Sequence, residues 1–193
     1  MTTILLARHG ETDWNREGRF QGHADRPLNE TGRAQAFELG EALRADELAA
    51  VYSSPLRRAL ETAEAVAAPR GLKPIPVESL REIDVGSWQG LTRAEIEERF
   101  PGQFARWLAY EQGWADGESY DEMSRRVITA LLELAHRHAG GRILAVTHGG
   151  PIRAAFAFAG GTSHAEARRH GPVIGNVFVA EFAVEDGVLR RLD

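Results

Sequence analysis

"LLARHGETDWN" occupies residues 5–15, and the way it breaks decides the fold. The apolar run Ile4-Leu5-Leu6-Ala7 ends abruptly in Arg8, His9 and Gly10, and a polar loop follows. A short apolar run with polar flanks predicts a buried strand over residues 2–7. "RILAVTH", residues 142–148, breaks in the same way and is the clearest buried strand of the chain. Gly149-Gly150-Pro151 then leads into a helix, "IRAAFAFA".

The segments between these two strands alternate in type. The polar loop runs to about Leu28, and Asn29 caps a helix over residues 30–44, with Ala34, Phe37, Leu39, Ala42 and Leu43 as its apolar side. "LAAVYSS", residues 48–54, predicts a second strand, and Ser54-Pro55 opens the helix "LRRALETAEAVAA". The prolines of "LKPIPVES" restrict it to a strand at a sheet edge. Thr92 begins a short helix that Pro101 interrupts, and residues 103–112 continue it as an aromatic-rich helix. Ser119 caps a long helix to about His138, ended by Gly140-Gly141. "NVFVAEFAVEDGVLRRLD" predicts a β-hairpin turning at Asp186-Gly187. Alternating strands and helices predict an α/β fold: a mostly parallel central sheet, helices on both faces, and the hairpin at an edge.

Composition narrows the function. The chain has 193 residues, which fits one domain, 1–193. A net charge of −5 argues against a general nucleic-acid binder, so any basic site must be local. The absence of cysteine excludes disulfides, thiolate metal sites and thiol catalysis, and suits the cytoplasm. The first apolar run is too short for a signal peptide, and nothing approaches the ~20 apolar residues of a membrane helix. The oligomeric state stays open, with a homodimer as one candidate.

In such sheets ligands bind beyond the carboxyl ends of the strands. Arg8 and His9 end the first strand, and Thr147 and His148 end the best one. Arg57 and Arg58 lie on the first turn of the helix leaving "VYSS", and Glu82 follows "IPVES". Taken singly, each has a bland reading: a loop histidine bonded to backbone, or a solvated helix face. Together they deliver two imidazoles, at least one guanidinium and a carboxyl group to one edge. Gly149 precedes a helix, where free N–H groups and the macrodipole favour an anion. Cations, imidazoles and helix-end amides describe a phosphate cradle. A neutral imidazole there can attack phosphorus, and a neighbouring carboxylic acid can protonate the departing oxygen.

"ARHGETDWN", "FQGHADRPLNETGRAQA", "VYSSPLRRALETA", "LREIDVGSWQG" and "VTHGG" together resemble the motifs of the histidine phosphatase superfamily, also called phosphoglycerate mutase-like. They occur in that family's order over most of the chain. The resemblance implies its three-layer fold, with His9 as a nucleophile that becomes phosphohistidine. It implies Arg8 and Arg58 as a phosphoryl clamp, His148 as the second imidazole of the pocket, and Glu82 as the acid that later deprotonates water. Asn15, Gln21 and Gly22 become phosphate contacts. Arg58 is chosen over Arg57 because the family's arginine directly precedes the alanine of "RA…TA". Gly10 would let the phosphoryl group approach, and the nearby cations would keep His9 neutral. No cofactor or metal is implied.

Three other readings carry less weight. His136 and His138 point in different directions on a helix, fit one metal poorly, and complement the helix C-terminus instead. His164 and His170 have no constellation around them. His9 and His148 could hold a metal, but the adjacent arginines oppose one. Within the family, a mutase needs water excluded and extra cations over the pocket. The segment from Glu82 to His148 is short for a mutase lid, and residues 100–118 carry one base, Arg106. The family's mutases usually have Trp where His23 stands. The expectation is a metal-independent phosphatase for a small phosphomonoester, with residues 92–118 as a helical lid-like insertion. A mutase is the runner-up, and a binding module without turnover is third. Trp107, Tyr110 and Trp114 read as partly core, with one of them available to the substrate entrance.

Overall fold

The structure, a computed structural model, describes residues 1–192. Four strands of the sheet run parallel: β1 (Thr2–Arg8), β2 (Ala50–Ser53), β3 (Ile75–Pro76) and β4 (Arg142–Thr147). The C-terminal hairpin, β5 (Val179–Glu185) and β6 (Val188–Arg191), adds to β1 antiparallel, giving the order β3-β2-β4-β1-β5-β6. Its turn takes positive φ at Asp186 and Gly187, as a two-residue hairpin loop demands. β3 is a two-residue edge strand, where proline does no harm to the ladder.

Side chains alternate along β1, which builds a core on each face. Ile4 and Leu6 join the cluster formed with α6 (Tyr120–Arg137) and α7 (Gly149–Ala159). Leu5 and Ala7 join the cluster formed with α2 (Glu30–Ala42) and α3 (Arg57–Ala67). This is the expected three-layer α/β fold. His138 ends α6 and meets the Tyr52 hydroxyl at 2.8 Å. No helix among the described residues is long and apolar enough to cross a membrane.

Some local expectations need correction. The first loop contains a short helix, α1 (Asp13–Arg16), closed by a Thr12–Asn15 capping box. The buried side of α2 is Gly32, Ala36, Leu39 and Gly40, whereas Phe37 is 65% exposed. Close backbone contact selects this face: a Cβ on Gly32 would stand 2.0 Å from the Glu11 carbonyl oxygen. Pro55 lies just outside α3, since Leu56 is the N-cap. The aromatic segment is split at Phe100 into α4 (Arg93–Arg99) and α5 (Pro101–Leu108), and does not continue to residue 112. A further helix, α8 (His164–His170), follows α7 behind a Ser163–Glu166 capping box.

Candidate active site

The register of three parallel strands brings the polar groups together. Arg8 pairs with Thr147, and the His9 N–H donates to the Thr147 carbonyl at 3.0 Å. On the other side of β4, the Ser54 N–H donates to the Val146 carbonyl at 2.9 Å. His9 and His148 therefore leave adjacent strand ends, with ring centroids 5.1 Å apart.

The hydrogen bonds fix both tautomers. His9 Nδ1 lies 2.7 Å from the Gly10 carbonyl, which can only accept, so Nδ1 carries the proton. Burial first, and then the charges of Arg58 and Arg8, hold its pKa well below the ordinary histidine value. The ring is thus neutral, and Nε2 keeps its lone pair. Arg58 Nε donates to His148 Nδ1 at 3.2 Å, so the proton of that ring lies on Nε2 and is given to Ser54 Oγ at 2.8 Å. His148 is likewise held neutral by burial and by Arg58. It is fully buried, with its ring centroid 5.1 Å from that of His9, and it accepts from Arg58.

Arg58 is buried to 0% exposure, while Arg57 faces solvent and pairs with Glu61. The remaining Arg58 nitrogens donate to the carbonyls of Ala24 and Gly22 at 2.7 and 2.9 Å. Arg8 donates to the Ile174 carbonyl at 2.8 Å, and its Nε has no partner among the described residues. Among the described residues neither Arg8 nor Arg58 forms an ion pair. Burial lowers the pKa of Arg58 to about 10, which still leaves it charged at neutral pH.

Glu82 reaches the same cavity from the loop after β3. Its carboxylate accepts from the Gly150 N–H, at 3.1 and 3.3 Å, at the start of α7. A Cβ on Gly150 would stand 2.3 Å from Glu82 Oε1, so a side chain there would push the carboxylate aside. The Glu82 carbonyl is held by His23 Nε2 at 2.8 Å and by Arg126 at 2.9 Å. Arg126 also donates to the carbonyls of Ser79 and Arg81 and pairs with Glu118, so it staples the whole loop.

Asn15, Gln21, Gly22 and Gly149 all line the cavity. Asn15 Oδ1 is committed to Thr12 and Asn176, which leaves its amide N–H₂ as the free group. Gly10 departs from expectation. A Cβ on Gly10 would lie 2.4 Å from the Gly32 carbonyl oxygen, so this glycine serves the crossing with α2.

The cavity encloses about 260 Å³. Its outer wall contains residues that the sequence did not single out: Arg153 of α7, Arg168 and His164 of α8, Tyr120 and Arg19. Trp107 and Trp114 also line it, and Tyr110 does not. His164 therefore does have a constellation: it stacks on Tyr120 with centroids 4.1 Å apart. The cations absent from residues 100–118 come instead from α7 and α8. One signal was available for Arg153, which lies one helical turn beyond Gly149 and so shares its face. Arg168 and His164 are placed by tertiary packing alone. Among the described residues no group of three His, Asp or Glu side chains could hold a metal.

Arginines without carboxylate partners, an unprotonated imidazole nitrogen and a carboxyl group in one small cavity define an enzyme acting on phosphate esters. The chain belongs to the histidine phosphatase superfamily, branch 1, whose family model matches residues 4–193. It is 40% identical over 161 residues to the metal-independent phosphoserine phosphatase of Arabidopsis thaliana, covering 81% of this chain and 68% of that one. Among solved structures, Bacillus stearothermophilus YhfR superposes with a TM-score of 0.90 at 37% identity, over 99% of this chain and 95% of that one. The phosphoserine phosphatase of Entamoeba histolytica in complex with 3-phosphoglyceric acid gives a TM-score of 0.87 at 28% identity, over 100% and 96%. The protein is thus a phosphoric monoester hydrolase of the histidine phosphatase type.

Proposed function

We propose that the protein hydrolyses a compact phosphomonoester in two steps, with His9 as nucleophile and without a metal. The observation that carries this reading is the His9 tautomer: Nδ1–H is spent on Gly10, and the bare Nε2 stands beside Arg8 and Arg58. The Nε2 lone pair attacks phosphorus, the P–O ester bond breaks, and protonated Glu82 gives its proton to the leaving oxygen. Water then attacks the phosphohistidine, the N–P bond breaks, and the Glu82 carboxylate takes the proton of that water. Arg8 and Arg58 offset charge on the equatorial oxygens in both transition states. The amide of Asn15, Gln21, and the backbone at Gly22 and Gly149 complete the seat. Residues 92–118 serve as its lid, with Trp107 and Trp114 facing the ester. The metal-independent relative from Arabidopsis supports the same reading.

Acid-quenched enzyme incubated with p-nitrophenyl phosphate should yield an acid-labile, base-stable phosphoenzyme that His9→Ala lacks. Substantial turnover by His9→Ala would end this mechanism. One observation favours the mutase as a second reading: Arg153 and Arg168 put additional cations over the cavity. Assaying 3-phosphoglycerate for both phosphate release and isomerisation separates the two. The phosphatase releases phosphate stoichiometrically with the alcohol, with little 2-phosphoglycerate.

A further inference from the structure

The peptide that joins His9 to Gly10 is held at both ends. Its N–H, on Gly10, donates to Thr62 Oγ1 of α3 at 3.0 Å. Its carbonyl, on His9, accepts from Asn176 Nδ2 at 3.0 Å and from the Val177 N–H at 3.4 Å. In the next peptide the Gly10 carbonyl takes the proton of the His9 ring, and the Glu11 N–H donates to Gln35 Oε1 of α2 at 2.8 Å. The backbone that presents the His9 ring is thus fixed by α2, α3 and the turn that precedes β5.

Asn176 spends its second amide proton elsewhere. Its Nδ2 also donates to Asn15 Oδ1, at 3.3 Å. The orientation of both amides follows from their other partners. The Thr12 N–H can only donate, so the Asn15 atom it meets at 3.1 Å is the oxygen. The His9 carbonyl can only accept, so the Asn176 atom that faces it is the nitrogen. Asn176 itself does not line the cavity, whereas His9 and Asn15 both do.

The turn over residues 175–178 is closed by the Phe178 N–H on the Gly175 carbonyl at 3.3 Å, and its third residue, Val177, has a φ of 51°. Glycine or asparagine is usual at that place, and a β-branched residue in the left-handed region is a genuine outlier. Such a conformation persists where the surroundings over-determine it, and it gathers at functional sites. Here it sets the Asn176 amide and the Val177 N–H on one carbonyl, while the Phe178 carbonyl accepts from the Arg8 N–H at 2.9 Å.

We propose that Asn176 is a positioning residue of the hydrolysis: one amide nitrogen fixes the His9 backbone and the Asn15 side chain relative to each other, so that nucleophile and phosphoryl contact are held as a unit. The inference rests on the phosphatase reading, which makes His9 the nucleophile and Asn15 a contact of the phosphoryl group.

A double-mutant cycle with Asn15, read by steady-state kinetics on p-nitrophenyl phosphate, tests it. Asn176→Ala should lower kcat about tenfold per folded enzyme, less than the ~10²-fold that a 1 Å misplacement can cost. In the Asn15→Ala background the same change should cost no more than about threefold, because the side chain it orients is gone. A residue that only supports the turn would lower the melting temperature and leave kcat at room temperature unchanged. Asn176→Asp keeps the outline and the turn preference but has no amide donor; it should lose at least as much, and it decides if circular dichroism shows Asn176→Ala to be unfolded. A kcat within about threefold of wild type in the folded variant, or losses that simply multiply in the double variant, overturns the proposal. Failure of the phosphatase reading shows elsewhere: His9→Ala then keeps its turnover, whatever Asn176→Ala does.

Discussion

Arg58 Nε donates to Nδ1 of His148 at 3.2 Å, and this bond ties the placement of a buried guanidinium to the protonation of a buried imidazole. With Nδ1 accepting, the His148 proton must sit on Nε2, where Ser54 takes it. A protonated His148 would turn its acceptor into a donor aimed at a cation. Clamp and imidazole are therefore compatible in one protonation state only.

Replacing the fork of Arg58 by a point charge should show this dependence. Arg58→Lys loses the bonds to His148, Ala24 and Gly22 together. Turnover should fall by about 10²-fold or more, the scale for removing an aimed donor from a transition state. Steady-state kinetics on p-nitrophenyl phosphate measure it, and a loss below tenfold would count against Arg58 as part of the clamp.

Acid should destabilise the fold through its imidazoles. His9, His148 and His164 all have pKa values lowered in the native state. The unfolded chain binds protons at these positions near pH 6.5, where the native state does not. Stability therefore falls as pH falls below about 6.5, by about 1.4 kcal/mol per pH unit for each imidazole. For His164 the loss continues to about pH 3. Urea unfolding at pH 7.5, 6 and 5 checks the slope, and His164→Phe should make it shallower by one proton.

Glu82→Gln keeps shape but removes the transferable proton. Turnover of alkyl phosphates should drop by roughly 10²–10⁴-fold. p-Nitrophenyl phosphate needs little leaving-group protonation, so its burst of nitrophenol should persist while steady turnover slows. Gly150→Ala should mimic this pattern in part, because its methyl displaces the Glu82 carboxylate. If Glu82→Gln slows neither substrate, the proton donor is another group. Asp84 is then a poor replacement, because its Oδ1 accepts from the Gly86 N–H and it does not line the cavity.

Chelation should leave activity intact. Among the described residues no metal-holding cluster exists, and the cavity wall is cationic. Full phosphate release in excess EDTA is the expected result. A loss that zinc or magnesium restores would move the protein to metal-assisted hydrolysis.

The sheet and the strand-end groups were legible because each is encoded locally. The breaks after Ala7 and after Val146 mark strand ends, and parallel register does the rest. The face of α2 was misread because hydrophobicity pointed to Phe37, whereas Gly32 and Gly40 face the core by virtue of having no side chain. The packing constraint on Gly10 was hidden for a related reason: its neighbour is a glycine of α2, distant in sequence. His148 was legible at a strand end, but its bonds to Arg58 and Ser54 were not, since they cross 90 and 94 positions. Arg153, Arg168 and His164 carry no motif of their own; they meet the cavity only because α7 and α8 pack together.

The wall of the cavity is made from two kinds of structure. His9, Arg8, Arg58 and Glu82 stand on strand ends, a helix start and a stapled loop. Trp107, Trp114, Arg153, Arg168 and His164 come from helices and turns beyond it. The strand-end groups and most of the remaining wall thus rest on different segments of the chain, with α7 contributing to both. Grafting 92–118 and 164–170 from another member of the superfamily should therefore reshape the wall of the cavity while the sheet, and the groups at its strand ends, do not register the change.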